Sequence, residues 1–208
     1  MNISVSWQQV GALSGVIASV LIVTGMIVGD LNALVPVVSP SSTIATTFVA
    51  HRTKILISTY LSLLGVFFLM GFLAYLRAFL LDTTGEQNWL ASVAFGGGLV
   101  ACAMLLLAAH FNQAFTVLSD YGAETQIAKT LYVLDWNDYL LVEAPALAAL
   151  VGATTATGFT YRVFPRWLNW WGALLTLVLL GPVLPGSGVM VTFLWVAALS
   201  VLLLLKVR

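Results

Sequence analysis

Charge is the scarcest feature of this sequence. Only 8% of the 208 residues are Asp, Glu, Lys or Arg, against 61% that are hydrophobic. A soluble domain carries about 25% charged residues, because its surface must be coated with groups that water solvates. This chain has too few to do so, which excludes an ordinary water-soluble fold and points to hydrocarbon as the solvent. Neither sign of charge dominates: eight basic and eight acidic residues give a formal net charge of +0. There is no basic block for nucleic acid and no acidic tail. Cysteine is almost missing as well. With Cys102 alone, no intrachain disulfide and no cysteine-based metal motif can form. It lies in an apolar run and reads as a buried, inert thiol. Residues 1–9 contain no Lys or Arg, whereas a signal peptide needs a positive n-region and a small-residue cleavage site. The first apolar run therefore reads as a retained helix.

What the sequence has in abundance is long apolar runs. A membrane-crossing helix needs about 20 apolar residues. Six stretches qualify: 10–28, 55–76, 90–109 (with room to continue), 139–159, 167–184 and 189–205. A transmembrane β-barrel would instead alternate apolar and polar residues over segments of about ten. The expected fold is all-α, a polytopic integral membrane bundle of six transmembrane helices forming a single domain over 1–208.

The connections are unequal. Residues 30–54 carry Pro36, Pro40, Ser41 and Ser42; a serine cap there predicts a short helix through Ala50 that runs on into the second span. Residues 111–137 mix apolar and polar types, which predicts an extension of the third helix and an interfacial piece. The chain turns at Gly85 between spans two and three, and Pro165 ends the short link before span five. Residues 181–188, Gly-Pro-Val-Leu-Pro-Gly-Ser-Gly, predict a tight hairpin.

Basic residues set orientation. With six spans both termini share a side. That side collects Arg77, Arg162, Arg166, Lys206 and Arg208, against Arg52, Lys54 and Lys129 on the other, so both termini are expected to be cytoplasmic. Acidic residues fall the other way, with Asp30, Asp120, Glu124, Asp135, Asp138 and Glu143 at the outer side and only Asp82 and Glu86 inside. Trp136 and Tyr139 outside, and Trp167, Trp170 and Trp171 inside, suit an aromatic belt. Small residues let membrane helices approach. Gly11, Gly15 and Ser19 form such a stripe on span one, Ala144, Ala148, Gly152 and Ala156 on span four, and Gly96, Gly97 and Gly98 give span three a point of close approach. These faces serve either packing within the chain or a homodimer.

The residue best placed to carry chemistry is Glu143, one to two turns into span four and followed by Pro145. Ionisable groups inside a membrane are costly and usually face a partner or water. Pro145 removes one backbone donor, and an acid beside a weakened turn is a common ion or proton site. The structural alternative is a glutamate that reaches the interface or pairs with a neighbour. His51, Lys54, Ser58 and Ser62 share one face of span two, with Lys54 at a depth where it would pair with Glu143, directly or through water. His51 and His110 fall near the same outer surface as Asp135, Asp138 and Glu143. Such a set suits mixed nitrogen and oxygen metal ligation or proton relay. Polar residues also gather at interfaces for no catalytic reason, and no HExxH or Cys–His spacing appears. A haem held by His51 and His110 is a weaker alternative; His110, Asn112 and Gln113 would otherwise line a polar pocket. The metal candidates are His51, His110, Asp135 and Asp138, the ligand or ion candidates His51, Lys54, Ser58, His110, Gln113, Asp138 and Glu143. No cofactor is expected. There is no P-loop, dinucleotide glycine motif or nucleophile elbow, no lysine deep enough for a retinal Schiff base, and no inverted repeat.

Two stretches carry a family resemblance. Residues 43–52 lead into a span ending Leu73-Ala74-Tyr75-Leu76-Arg77, and Phe164-Pro165-Arg166-Trp167-Leu168 opens span five ahead of Gly172. In these features and in layout, over most of its length, the chain resembles the bacterial six-helix membrane proteins grouped as the domain of unknown function DUF4386. The resemblance implies architecture and a bacterial plasma membrane, and supplies no catalytic residues. Three functions follow as expectations: binding of a small molecule or lipid in a polar cavity at the outer end of the bundle, proton-coupled transport through Glu143, and a metal-dependent membrane enzyme at the outer face. Membrane lipids, and a second copy through the small-residue faces, are the expected partners.

Overall fold

The computed structural model describes residues 6–29, 35–120, 125–138, 142–181 and 185–206. Among these, seven helices and no strand form: α1 (Trp7–Val28), α2 (Ser41–Thr84), α3 (Trp89–Asp120), α4 (Thr125–Asp138), α5 (Ala144–Tyr161), α6 (Arg166–Leu180) and α7 (Pro185–Lys206). Local chemistry sets several ends. A capping box starts α1: Gln9 N–H donates to Ser6 Oγ at 3.2 Å, and Ser6 N–H donates to Gln9 Oε1 at 3.1 Å. The expected serine cap of α2 is displaced by one residue. Pro40 is the N-cap, its carbonyl accepting the N–H groups of Thr43 and Ile44, and both serines lie in the first turn. From there α2 runs unbroken for 44 residues to Gly85, whose φ of +93° lets the chain turn where a side chain would be strained.

Among the described residues, four segments are long and apolar enough to cross a membrane: Trp7–Val28, Ser41–Thr84, Trp89–Ala114 and Gly188–Lys206. The remaining two runs read from the sequence become α5, diluted by alanine, glycine and threonine, and α6, which at 15 residues spans only about 22 Å. Residues 139–141 and 182–184, at the edges of those runs, lie outside the described residues. Pro185 and its followers belong to α7 rather than to a hairpin, since proline is well placed in a helix's first turn.

Helix neighbours follow a ring. α1 packs on α2, α2 on α3, α3 on α5, α5 on α6, α6 on α7, and α7 returns to α1, with α5 also touching α7. The centre is filled by Phe72, Leu147, Phe193, Trp195 and Leu199, all at most 1% exposed. The glycines set how closely the ring closes. A Cβ at Gly11 would come within 2.6 Å of Tyr75, one at Gly15 within 2.5 Å of the Phe72 ring, and one at Gly97 within 2.7 Å of the Ala146 carbonyl. The α1 stripe therefore packs inside the chain, as does that of α5, where a Cβ at Gly152 would lie 3.1 Å from Thr176 and Ala144 and Ala148 are buried, whereas Gly96 faces outward with nothing within 4 Å. Buried hydroxyls hide by bonding back to their own helices: Ser19 to Gly15 O, Thr154 to Leu150 O, Thr192 to Gly188 O and Ser200 to Val196 O, at 2.7–2.8 Å.

At 1.5 Å per residue, α2 is about 66 Å long and α3 about 48 Å, against a hydrocarbon core of about 30 Å. Both helices overshoot at the end away from Gly85. There α4 packs against α2 and α3, making a cap of the predicted helix extension and interfacial piece. At the opposite, Gly85 end, Phe79 stacks on Phe164 at 6.1 Å, and Lys206 Nζ sits over both rings and donates to the Val163 carbonyl.

Candidate functional site at the capped end of the bundle

The cap has its own apolar cluster, separate from the bundle core: Val35, Ile44, Phe48, Ile55 and Tyr132. It forms because the first turns of α2 present Ile44 and Phe48 on one face, four residues apart, with Ile55 two turns on. Tyr132 of α4 closes it. The Tyr132 ring meets Phe48 edge-on at 5.7 Å. Its hydroxyl donates to Val35 O at 2.6 Å and accepts from Val35 N–H at 3.4 Å. Lys129 Nζ donates to Ser39 O at 3.0 Å. Two side chains of α4 thus grip the main chain of residues 35–39, which leads into α2. A phenol in this position covers apolar surface and satisfies a buried peptide group at once.

Beyond α4 the chain enters α5 at Glu143, its N-cap residue, with φ −66° and ψ −48°. Pro145 follows, where its missing N–H costs the first helical turn nothing. Glu143 is 2% exposed, and its Oε1 is sealed from solvent. This is the deepest burial of any ionisable carboxylate among the described residues.

The other predicted residues differ in burial. His51 is half-buried, with Nδ1 3.0 Å from the Thr47 carbonyl of the preceding turn. Lys54 is exposed, unlike the buried Glu143. Ser58 is buried against α1, where a Cβ at Gly29 would collide with it, and Ser62 Oγ lies 3.1 Å from such a Cβ at Gly25. The lower part of the predicted polar face therefore turns into the bundle while Lys54 does not. His110 and Gln113 are exposed on the overshooting end of α3, with the His110 ring beside Phe111 at 6.5 Å. Asp135 is half-buried on α4, and the Asp138 side chain lies outside the described residues. Among the described residues, no group of three or more His, Cys, Asp or Glu is placed to hold a metal ion.

A groove of about 670 Å³ opens elsewhere, on the outer wall between α1 and α2, lined by Trp7, Leu13, Ser14, Phe67, Phe68 and Tyr75 among others. From Ile55 to Gly71 along α2 is about 24 Å, so the groove lies well away from the cap. Sequence reasoning missed Lys129 and Tyr132. Tyr132 stands in a mixed stretch with no periodicity, and its only signal is an aromatic that needs a polar partner when buried. No family model, curated protein or solved structure matches the chain.

Proposed function

We propose that this chain is a multi-pass protein of a bacterial plasma membrane, with six crossing helices and both termini cytoplasmic, that binds a small molecule or lipid at the capped end of its bundle. α5 and α6 complete the six crossings as members of the ring. The capped end is the outer one, as the distribution of Lys and Arg requires. The resemblance to DUF4386 proteins implies this six-helix architecture. The single observation that carries the binding reading is Glu143, 2% exposed at the start of α5. An intramembrane carboxylate is expensive and marks a ligand or ion path by default. Beneath it the bundle is closed by Leu147, Phe72 and Phe193, which favours a binding site over a transport path. The metal-dependent enzyme gains no support, because no suitable cluster forms among the described residues. A homodimer would use the exposed small-residue face of α3, Ser92, Gly96 and Ala103, since the α1 and α5 stripes are occupied within the chain.

The test is native mass spectrometry of the protein purified in mild detergent, together with Glu143→Gln. The expected result is a co-purifying small molecule or lipid retained by the wild type and lost from the variant at unchanged thermal stability. A wild type that carries nothing, or equal retention by Glu143→Gln, would overturn the reading.

A further inference from the structure

The Gly85 end of the ring carries a surface that ligand binding at the cap does not use. α5 ends at Arg162 in the left-handed conformation, φ 56° and ψ 33°. It is the one residue other than glycine with positive φ among the described residues. Glycine is the usual residue at this place, because a Cβ there costs roughly 1–2 kcal/mol. An arginine held in this conformation is worth a functional explanation. Its side chain is exposed, as is that of Arg166 four residues on, across Pro165. Neither guanidinium has an ion pair or hydrogen bond among the described residues. Lys206, also exposed, joins them from α7 through its bond to the Val163 carbonyl, between the two arginines in sequence.

Around these cations stand aromatic side chains. Trp167 is 53% exposed, Trp170 62% and Tyr161 47%. Phe159 meets Trp170 edge-on at 5.5 Å. Exposed tryptophan and tyrosine settle at the headgroup level of a bilayer, which fixes the depth of the neighbouring arginines at the phosphate plane. Of the acidic residues of this end, Asp82 lies in the last turn of α2 and Glu86 in the α2–α3 connection, so the α5–α6 link itself carries positive charge alone. Guanidinium groups bind phosphate bidentately, and basic residues between transmembrane helices favour anionic headgroups.

We propose that Arg162, Arg166 and Lys206 form a binding site for the headgroup of an anionic phospholipid, framed by Trp167 and Trp170. The site is independent of Glu143 and of which side of the membrane it faces. An attraction of about 1 kcal/mol per basic residue near the surface corresponds to roughly a fivefold change in binding. The full chain in mixed micelles is titrated with phosphatidylglycerol and with phosphatidylcholine, and bound lipids are counted by native mass spectrometry. The wild type is expected to prefer phosphatidylglycerol. Arg162→Gly and Arg166→Gln should each lower the preference about fivefold, and Arg162→Lys should retain most of it. Arg162→Gly also relieves the left-handed backbone, so its loss of lipid would come without loss of fold, checked by its melting temperature. Arg52→Gln, at the opposite end, should keep the preference. Equal binding of the two lipids by the wild type, an unchanged preference in the Arg162→Gly/Arg166→Gln double variant, or an equal loss in Arg52→Gln would each overturn the proposal.

Discussion

Gly96 and Gly97 are neighbours on α3 whose replacement by alanine should have opposite signs. At Gly97 the new Cβ would lie 2.7 Å from the Ala146 carbonyl oxygen, 2.8 Å from Ala149 Cβ and 2.9 Å from the Leu150 nitrogen. Two of these are backbone atoms of α5, which no rotamer change can move. The helices must separate, and overpacking of this kind costs about 1–3 kcal/mol. Alanine returns about 1 kcal/mol of helix propensity, leaving a net loss of up to about 2 kcal/mol. At Gly96 nothing lies within 4 Å, so only the propensity gain remains. For a chain of this size, 1 kcal/mol moves the melting temperature by about 2–4 °C. Heating the purified proteins in one detergent, followed by far-UV circular dichroism, should show Gly97→Ala melting below the wild type, by up to about 8 °C, and Gly96→Ala at or slightly above it. If Gly97→Ala melts at or above Gly96→Ala, α3 and α5 do not approach as described and the ring order fails with them.

Tyr132→Phe keeps the ring against Phe48 and removes the hydroxyl that bridges to Val35. Hydrogen–deuterium exchange should rise in residues 35–40 and 125–135 by the loss of about 1–2 kcal/mol of protection, with α5 to α7 unchanged; faster exchange throughout the bundle would contradict an independent cap. Lys129→Met should loosen the same two segments more weakly, because its bond to Ser39 O is only partly buried, and an effect larger than that of Tyr132→Phe would reverse their assigned roles. For topology, Cys102 is replaced by serine and single cysteines are placed at Gln8 and at Gln126. A membrane-impermeant maleimide applied to intact cells should label position 126 and not position 8, and labelling of both or of position 8 alone would refute cytoplasmic termini.

How far the sequence could be read differs from one residue to the next. The start of α1 was readable within three residues, and Gly85 and Pro165 stand at helix boundaries where their backbone constraints put them. The continuity of α2 through Ala50 was also readable, since no glycine or proline lies between Ser41 and Leu64. The burial of Glu143 was anticipated by its place in an apolar run beside Pro145. The fate of the polar face on α2 was not. Periodicity puts His51, Lys54, Ser58 and Ser62 on one side of a helix, but only the neighbours decide what that side meets. α1 ends beside Ser58, so Ser58 is buried and Lys54, one turn further out, is exposed. His110 is exposed on the part of α3 that overshoots the bundle.

Composition alone determined that the chain folds as apolar helices, because sixteen charged residues cannot clothe a water-soluble surface. The tertiary structure decided which side of each helix faces protein. In water the apolar side would have announced itself, but lipid is as apolar as leucine, so hydrophobicity does not separate the two sides. On α2, Leu64 and Phe67 are 53% and 71% exposed while Leu69 and Phe72 are wholly buried. What distinguishes them is the glycine of a neighbouring helix, Gly15 against Phe72, and that pairing exists only once the helices have met.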